Sequence, residues 1–113
     1  MSLPDLIEEV KVTSLKGLGA SYRISGLMII RAKDGSLTRI NYKGVAFGGH
    51  YGGHNVNVQV SPAARKKIMV SLSCTEKDIE NLLAEVQRRL LNGEMTVEYG
   101  KLKPEEQEEI GRF

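Results

Sequence analysis

The sequence predicts an α+β fold: a mainly antiparallel sheet of five or six strands built of hairpins, with one long amphipathic helix packed on one face. Three observations predict it. Residues 21–32 and 36–47 are strand-like runs joined by Lys33-Asp34-Gly35-Ser36, where Gly35 can take positive φ at no steric cost. Residues 45–47 and 55–60 flank a second turn-rich stretch, Gly48-Gly49-His50-Tyr51-Gly52-Gly53-His54. Ile79, Leu82, Leu83, Val86 and Leu90 recur at helical spacing and form one apolar stripe.

Taken in order, Leu3, Leu6, Ile7 and Val10 fit a short helix opened by Ser2 or Pro4. Val10-Lys11-Val12 then alternates, which predicts a strand to about Leu15 and a turn at Gly17-Leu18-Gly19. Lys16-Gly17-Leu18-Gly19 lacks the spacing of a phosphate loop.

Two registers compete in the Asp34-Gly35 hairpin. A two-residue turn pairs Ile29 with Ile40 and Leu27 with Tyr42. A three-residue loop puts Tyr22, Ile24, Met28 and Ile30 on one face with Ile40 and Tyr42. The second has the longer apolar face and is preferred, since a one-residue slip exchanges the faces.

In the glycine-rich hairpin a type I′ turn at Gly52-Gly53 pairs Phe47 with Val58 and Val45 with Val60. One face then holds Val45, Phe47, Tyr51, His54, Val56, Val58 and Val60. The other holds Gly44, Ala46, Gly48, His50, Asn55, Asn57 and Gln59. This register requires the inward parity to switch after Tyr42, and a bulge at Lys43-Gly44 would supply the switch.

Ser61-Pro62 ends that strand, because proline cannot donate to a ladder. Residues 63–67 read as a helical turn, and Ile68, Val70 and Leu72 as an alternating strand. Ser73-Cys74-Thr75-Glu76 is a capping-box pattern, with Ser73 and Thr75 both candidate N-caps for the helix over 75–92. Glu85 and Arg89 form an i,i+4 pair, and Asn92-Gly93 supplies a left-handed cap. Residues 95–99 read as a last short strand. Residues 68–83 resemble the strand-then-helix element near the C-terminus of class V aminotransferases. No pyridoxal-binding lysine motif accompanies the resemblance, so it implies a local structure and no activity or cofactor.

The 113 residues, 41% hydrophobic and 27% charged, suit one soluble domain over residues 1–102. Residues 103–113 are acidic, too poor in apolar groups to fold alone, and read as a loose tail. No signal-peptide pattern or apolar run of ~20 residues is present, and Cys74 is the single cysteine, so a cytoplasmic location is expected. Net charge is +2, but residues 1–72 hold ten Lys/Arg against four Asp/Glu, and residues 73–113 hold six against ten.

Four chemistries are open to these residues. His50 and His54 are the only histidines. On an extended strand i and i+4 lie ~13 Å apart, too far for one ion, and no Cys, Asp or Glu between Gly35 and Cys74 completes a shell. Cys74, Ser73 and Thr75 stand at a helix N-terminus, where a thiolate would be stabilised, but no histidine is fixed beside them. No catalytic residue, metal site or cofactor is therefore assigned. Arg23, Arg31, Arg39 and Lys43 interleave with aromatic residues on strands, and Arg65, Lys66 and Lys67 form a short cluster. Together these residues could bind nucleic acid. The face of Gly48, His50, Asn55, Asn57 and Gln59 is uncharged, unlike ordinary solvent faces. It makes a non-enzymatic interaction module the first reading, as a homo-oligomer or with a small ligand and no membrane partner. Nucleic-acid binding through the basic two-thirds is second. An enzyme or metal protein using His50, His54 or Cys74 is third.

Overall fold

The computed structural model describes residues 3–18, 21–48 and 54–98. A turn of 3-10 helix, Leu3–Leu6, leads into β1 (Ile7–Leu18). The chain continues through β2 (Ser21–Arg31), β3 (Leu37–Gly48), β4 (His54–Gln59), α1 (Pro62–Leu72), α2 (Glu76–Leu91) and β5 (Thr96–Val97). The five strands form one sheet in the order β4-β3-β2-β1-β5, antiparallel except where β5 runs parallel to β1. Both helices and the 3-10 turn pack on one face, where a single apolar cluster joins them to the sheet.

The β2–β3 hairpin takes the preferred register, with Met28 opposite Ile40 and Gly26 opposite Tyr42. Gly35 donates to Ala32 O at 2.9 Å and has φ +89°, so the loop is a type I turn closed by a left-handed glycine. Asp34 Oδ1 accepts from Ser36 N and Oγ at 2.9 and 2.6 Å, which rigidifies the tip and lowers the Asp34 pKa. Ile24, Met28, Ile30, Ile40 and Tyr42 are consequently buried against the helices.

The β3–β4 hairpin departs from expectation. Phe47 pairs with Asn55, Val45 with Asn57 and Lys43 with Gln59, a three-position shift from the Gly52-Gly53 register. An odd shift exchanges the faces. Inward parity therefore continues unbroken from Tyr42 through Gly44 and Ala46, and no bulge stands at Lys43-Gly44. The physical reason lies in β2: β3 stays paired with it in one register down to Ser21 opposite Phe47, so Gly44 and Ala46 face inward, and β4 must set its inward valines opposite them. Val56 and Val58 bury against the helix layer at 1% and 2% exposure. Val58 N donates to Gln87 Oε1 at 3.0 Å, tying β4 to α2. The parity switch occurs instead in β1, where a register shift between Val12 and Ser14 turns inward burial from Val12 to Leu15. Thr13 stands at that shift, and its hydroxyl donates to Ser25 O at 3.2 Å.

The predicted strand over 68–72 is helix, so the strand-then-helix resemblance does not hold there. Ser61 caps α1, its hydroxyl accepting from Ala64 N at 3.1 Å, with Pro62 in the first helical turn. Ile68 is buried and Ala64, Met69 and Leu72 pack on the core, whereas Val70 is 73% exposed. Helical spacing, not alternation, describes that burial. Ser73 closes α1 in a left-handed conformation, φ 50°, and is not an N-cap. Thr75 caps α2, and its capping-box partner is Asp78. All five stripe residues of α2 are buried. The single expected helix is thus a pair, α1 and α2. No described helix is long and apolar enough to cross a membrane. The acidic residues 103–113 lie outside the described residues.

Candidate functional site

With the helices on one face, the other face of the sheet carries the outward side chains in cross-strand rows. One row is Ser14, Ser25, Lys43 and Gln59, and the next is Lys16, Arg23, Val45 and Asn57. Beyond it Ser21, Phe47 and Asn55 align. In the other direction Lys11, Leu27 and Asn41 form one row and Glu9, Ile29 and Arg39 another.

This arrangement revises the uncharged face. Asn55, Asn57 and Gln59 do share one exposed face. Gly44 and Ala46 turn to the core, and the amides instead neighbour Lys43 and Arg23. Phe47, expected in the core, is 48% exposed on the open face. Gly48 pairs with His54 at the end of the hairpin. His50 and the Gly52-Gly53 turn lie outside the described residues.

Of the seven basic residues singled out in the sequence, Arg23, Arg39 and Lys43 share the open face, Arg23 and Lys43 in adjacent rows and Arg39 two rows further along β3, all exposed and without an ion pair among the described residues. Arg31 shares that face but is neutralised by Glu8. The cluster at 65–67 belongs to the helix layer. Arg65 is held by Glu76 and Glu80, each at 2.9 Å, and the Glu80 hydrogen bond chiefly raises its pKa. Lys67 Nζ donates to Arg39 O at 3.3 Å, and Lys66 stands exposed on α1.

Sequence reading missed Lys16 and Asn41. Lys16 stands directly opposite Arg23, and Lys43 sits diagonally from Arg23 across β2 and β3. Directly opposed like charges destabilise a sheet, because their Cβ atoms are only ~4.5–5.5 Å apart. Lys11, by contrast, is balanced by Glu98 at 2.9 Å. The available signal was the odd-numbered stripe Arg39-Asn41-Lys43, which faces outward once Ile40 and Tyr42 are assigned inward.

Two adjoining hollows mark this face. One, about 190 Å³, is lined by Arg23, Lys43, Gly44, Val45, Asn57 and Gln59. The other, about 640 Å³, runs past Thr13, Ser25, Asn41, Lys43, Gln59 and Ser61.

Cys74, the nucleophile candidate of the third reading, is not activated. Its thiol is partly buried, donates to Ile68 O at 3.8 Å, and has its pKa raised by burial and then by the Asp78 carboxylate. That is the reverse of an activated thiolate. No cluster of three metal-ligating side chains occurs among the described residues. No family model, curated protein or solved structure matches the chain.

Proposed function

We propose that this chain is a non-enzymatic module that binds single-stranded nucleic acid on the open face of its sheet. One observation carries the reading. Lys16 and Arg23 oppose each other in register, with Lys43 on the diagonal, and no described carboxylate balances them. A phosphate backbone supplies the missing anions and removes the like-charge repulsion. Phe47, one row beyond Arg23, offers an exposed ring on which a base can stack. A sheet face suits unpaired bases, which lie flat on it, better than a duplex, whose bases are already stacked.

Self-association, which the sequence suggests first, fits this face less well. A two-fold contact through Asn57 and Gln59 would bring Arg23 and Lys43 of both copies together.

The test is fluorescence anisotropy with a labelled, unstructured ten-nucleotide strand across a salt series. The expected result is affinity falling with salt, by a log–log slope of about −0.7 per phosphate contacted. Arg23→Ala should lower that slope by one such increment. Absence of binding at low salt, or binding indifferent to salt, would refute the reading.

A further inference from the structure

We infer that the larger hollow on the open face receives one unpaired base and selects guanine. The inference rests on the nucleic-acid reading of that face. The hollow's volume of about 640 Å³ falls within the ~300–1,000 Å³ of small-ligand pockets. Its polar lining is specific in kind. Among the described residues Lys43 is the only charged side chain there, Asn41 and Gln59 are amides, and Thr13, Ser25 and Ser61 are hydroxyls. Lys43 and Gln59 also line the smaller hollow beside Arg23. A phosphate held at Arg23 would therefore leave its attached base at the neighbouring hollow.

The donor and acceptor inventory makes the choice of base. The Lys43 ammonium can only donate, whereas each amide can donate and accept. Guanine presents two acceptors, O6 and N7, side by side, which suits an ammonium. Its ring N–H and amino groups then face the amide carbonyls of Asn41 and Gln59. Adenine places its amino donor beside N7, where the ammonium would meet a donor. Thymine offers the ammonium a single acceptor, O4, where guanine offers two. With no carboxylate among the described residues of the lining, cytosine's amino group has the amides and hydroxyls to accept it.

The experiment compares labelled ten-nucleotide strands that differ at one central position: thymine throughout, or one guanine, or one adenine. One good bidentate contact discriminates by ~1–3 kcal/mol, so guanine should tighten binding by about 5- to 150-fold. The double variant Asn41→Ala/Gln59→Ala should bring that preference close to one. Both side chains are exposed, so its thermal melt should match the native protein. Arg23→Ala should weaken binding of all three strands alike and keep the preference. Salt-dependent binding of equal strength for all three strands would overturn the guanine inference and leave the general reading standing. No binding of any strand would overturn both.

Discussion

The hydroxyl of Tyr42 on β3 donates a 2.7 Å hydrogen bond to the main-chain carbonyl of Lys11 on β1, passing over the whole of β2. Gly26 makes the crossing possible. It pairs with Tyr42 on one side and Val12 on the other, so the ring lies where its side chain would stand. The bond sits beside the β1 register shift at Thr13, which sets the side chains that face outward. A buried contact on the core side thereby supports the geometry of the open face.

Gly26→Ala should destabilise the protein strongly. Its methyl would overlap both the Lys11 carbonyl oxygen and the Tyr42 hydroxyl, and the first of these is backbone. The expected loss is ~1–3 kcal/mol or more, as for overpacked cores. Tyr42→Phe should cost less, ~0.5–1.5 kcal/mol for one hydrogen bond. Urea unfolding midpoints measure both, and an unchanged midpoint for Gly26→Ala would mean that Tyr42 is placed wrongly.

Burial raises the Tyr42 pKa well above the usual tyrosine range. The unfolded phenol ionises near pH ~10 while the folded one stays protonated, so above that pH the unfolded state binds fewer protons. Stability from this group is complete below pH ~10 and is lost as pH rises toward the higher folded value. Midpoints at about pH 8 and about pH 11 should differ more in the native protein than in Tyr42→Phe. Equal alkaline losses in the two proteins would show that the phenol is not the group responsible.

The two candidate caps separate by sign. Thr75→Ala removes the acceptor of Asp78 N, 3.3 Å away, and should cost ~1 kcal/mol. Ser73 holds a left-handed φ of 50°, so Ser73→Gly should stabilise by up to ~1 kcal/mol. Asp78 is held below the ordinary carboxyl pKa, first by the Thr75 N–H. Its contribution is present above pH ~3.9 and fades as pH falls through the lower folded value. Thermal melts of the two variants decide the assignment, and destabilisation by Ser73→Gly would return the N-cap role to Ser73.

Asn57→Lys discriminates between the two surface readings. Asn57 is exposed in the row of Lys16 and Arg23. An added cation there should steepen the log–log salt slope of nucleic-acid binding by about 0.7. Light scattering should give the same monomer mass with and without the substitution. A native oligomer that the lysine dissociates would instead place a subunit interface on these amides.

Local chemistry made much of this protein legible in its sequence. The stripe of α2 was readable because five apolar residues at helical spacing have only one face to share, and all five are buried. The β2–β3 register was readable because Gly35 defines a short loop and only one pairing aligns Ile24, Met28 and Ile30 with Ile40 and Tyr42. Arg23, Arg39 and Lys43 were singled out, and their common outward direction follows from that register.

Tertiary contacts decided the rest. Between Gly48 and His54 the chain has many glycines and therefore many permitted turns, so local preference did not select one. The unbroken pairing of β3 with β2, which turns Gly44 and Ala46 inward, sets the register instead, because the buried Val58 and Val56 must then stand opposite them. Ile68, Val70 and Leu72 satisfied a strand period as well as a helical one until Ile68 found the core and Val70 the solvent. The opposition of Lys16 and Arg23 depends on the β1 register shift at Thr13. That shift places Lys16 and Leu15 on opposite faces from those an unbroken alternation would give, because one extra residue reverses every side chain after it.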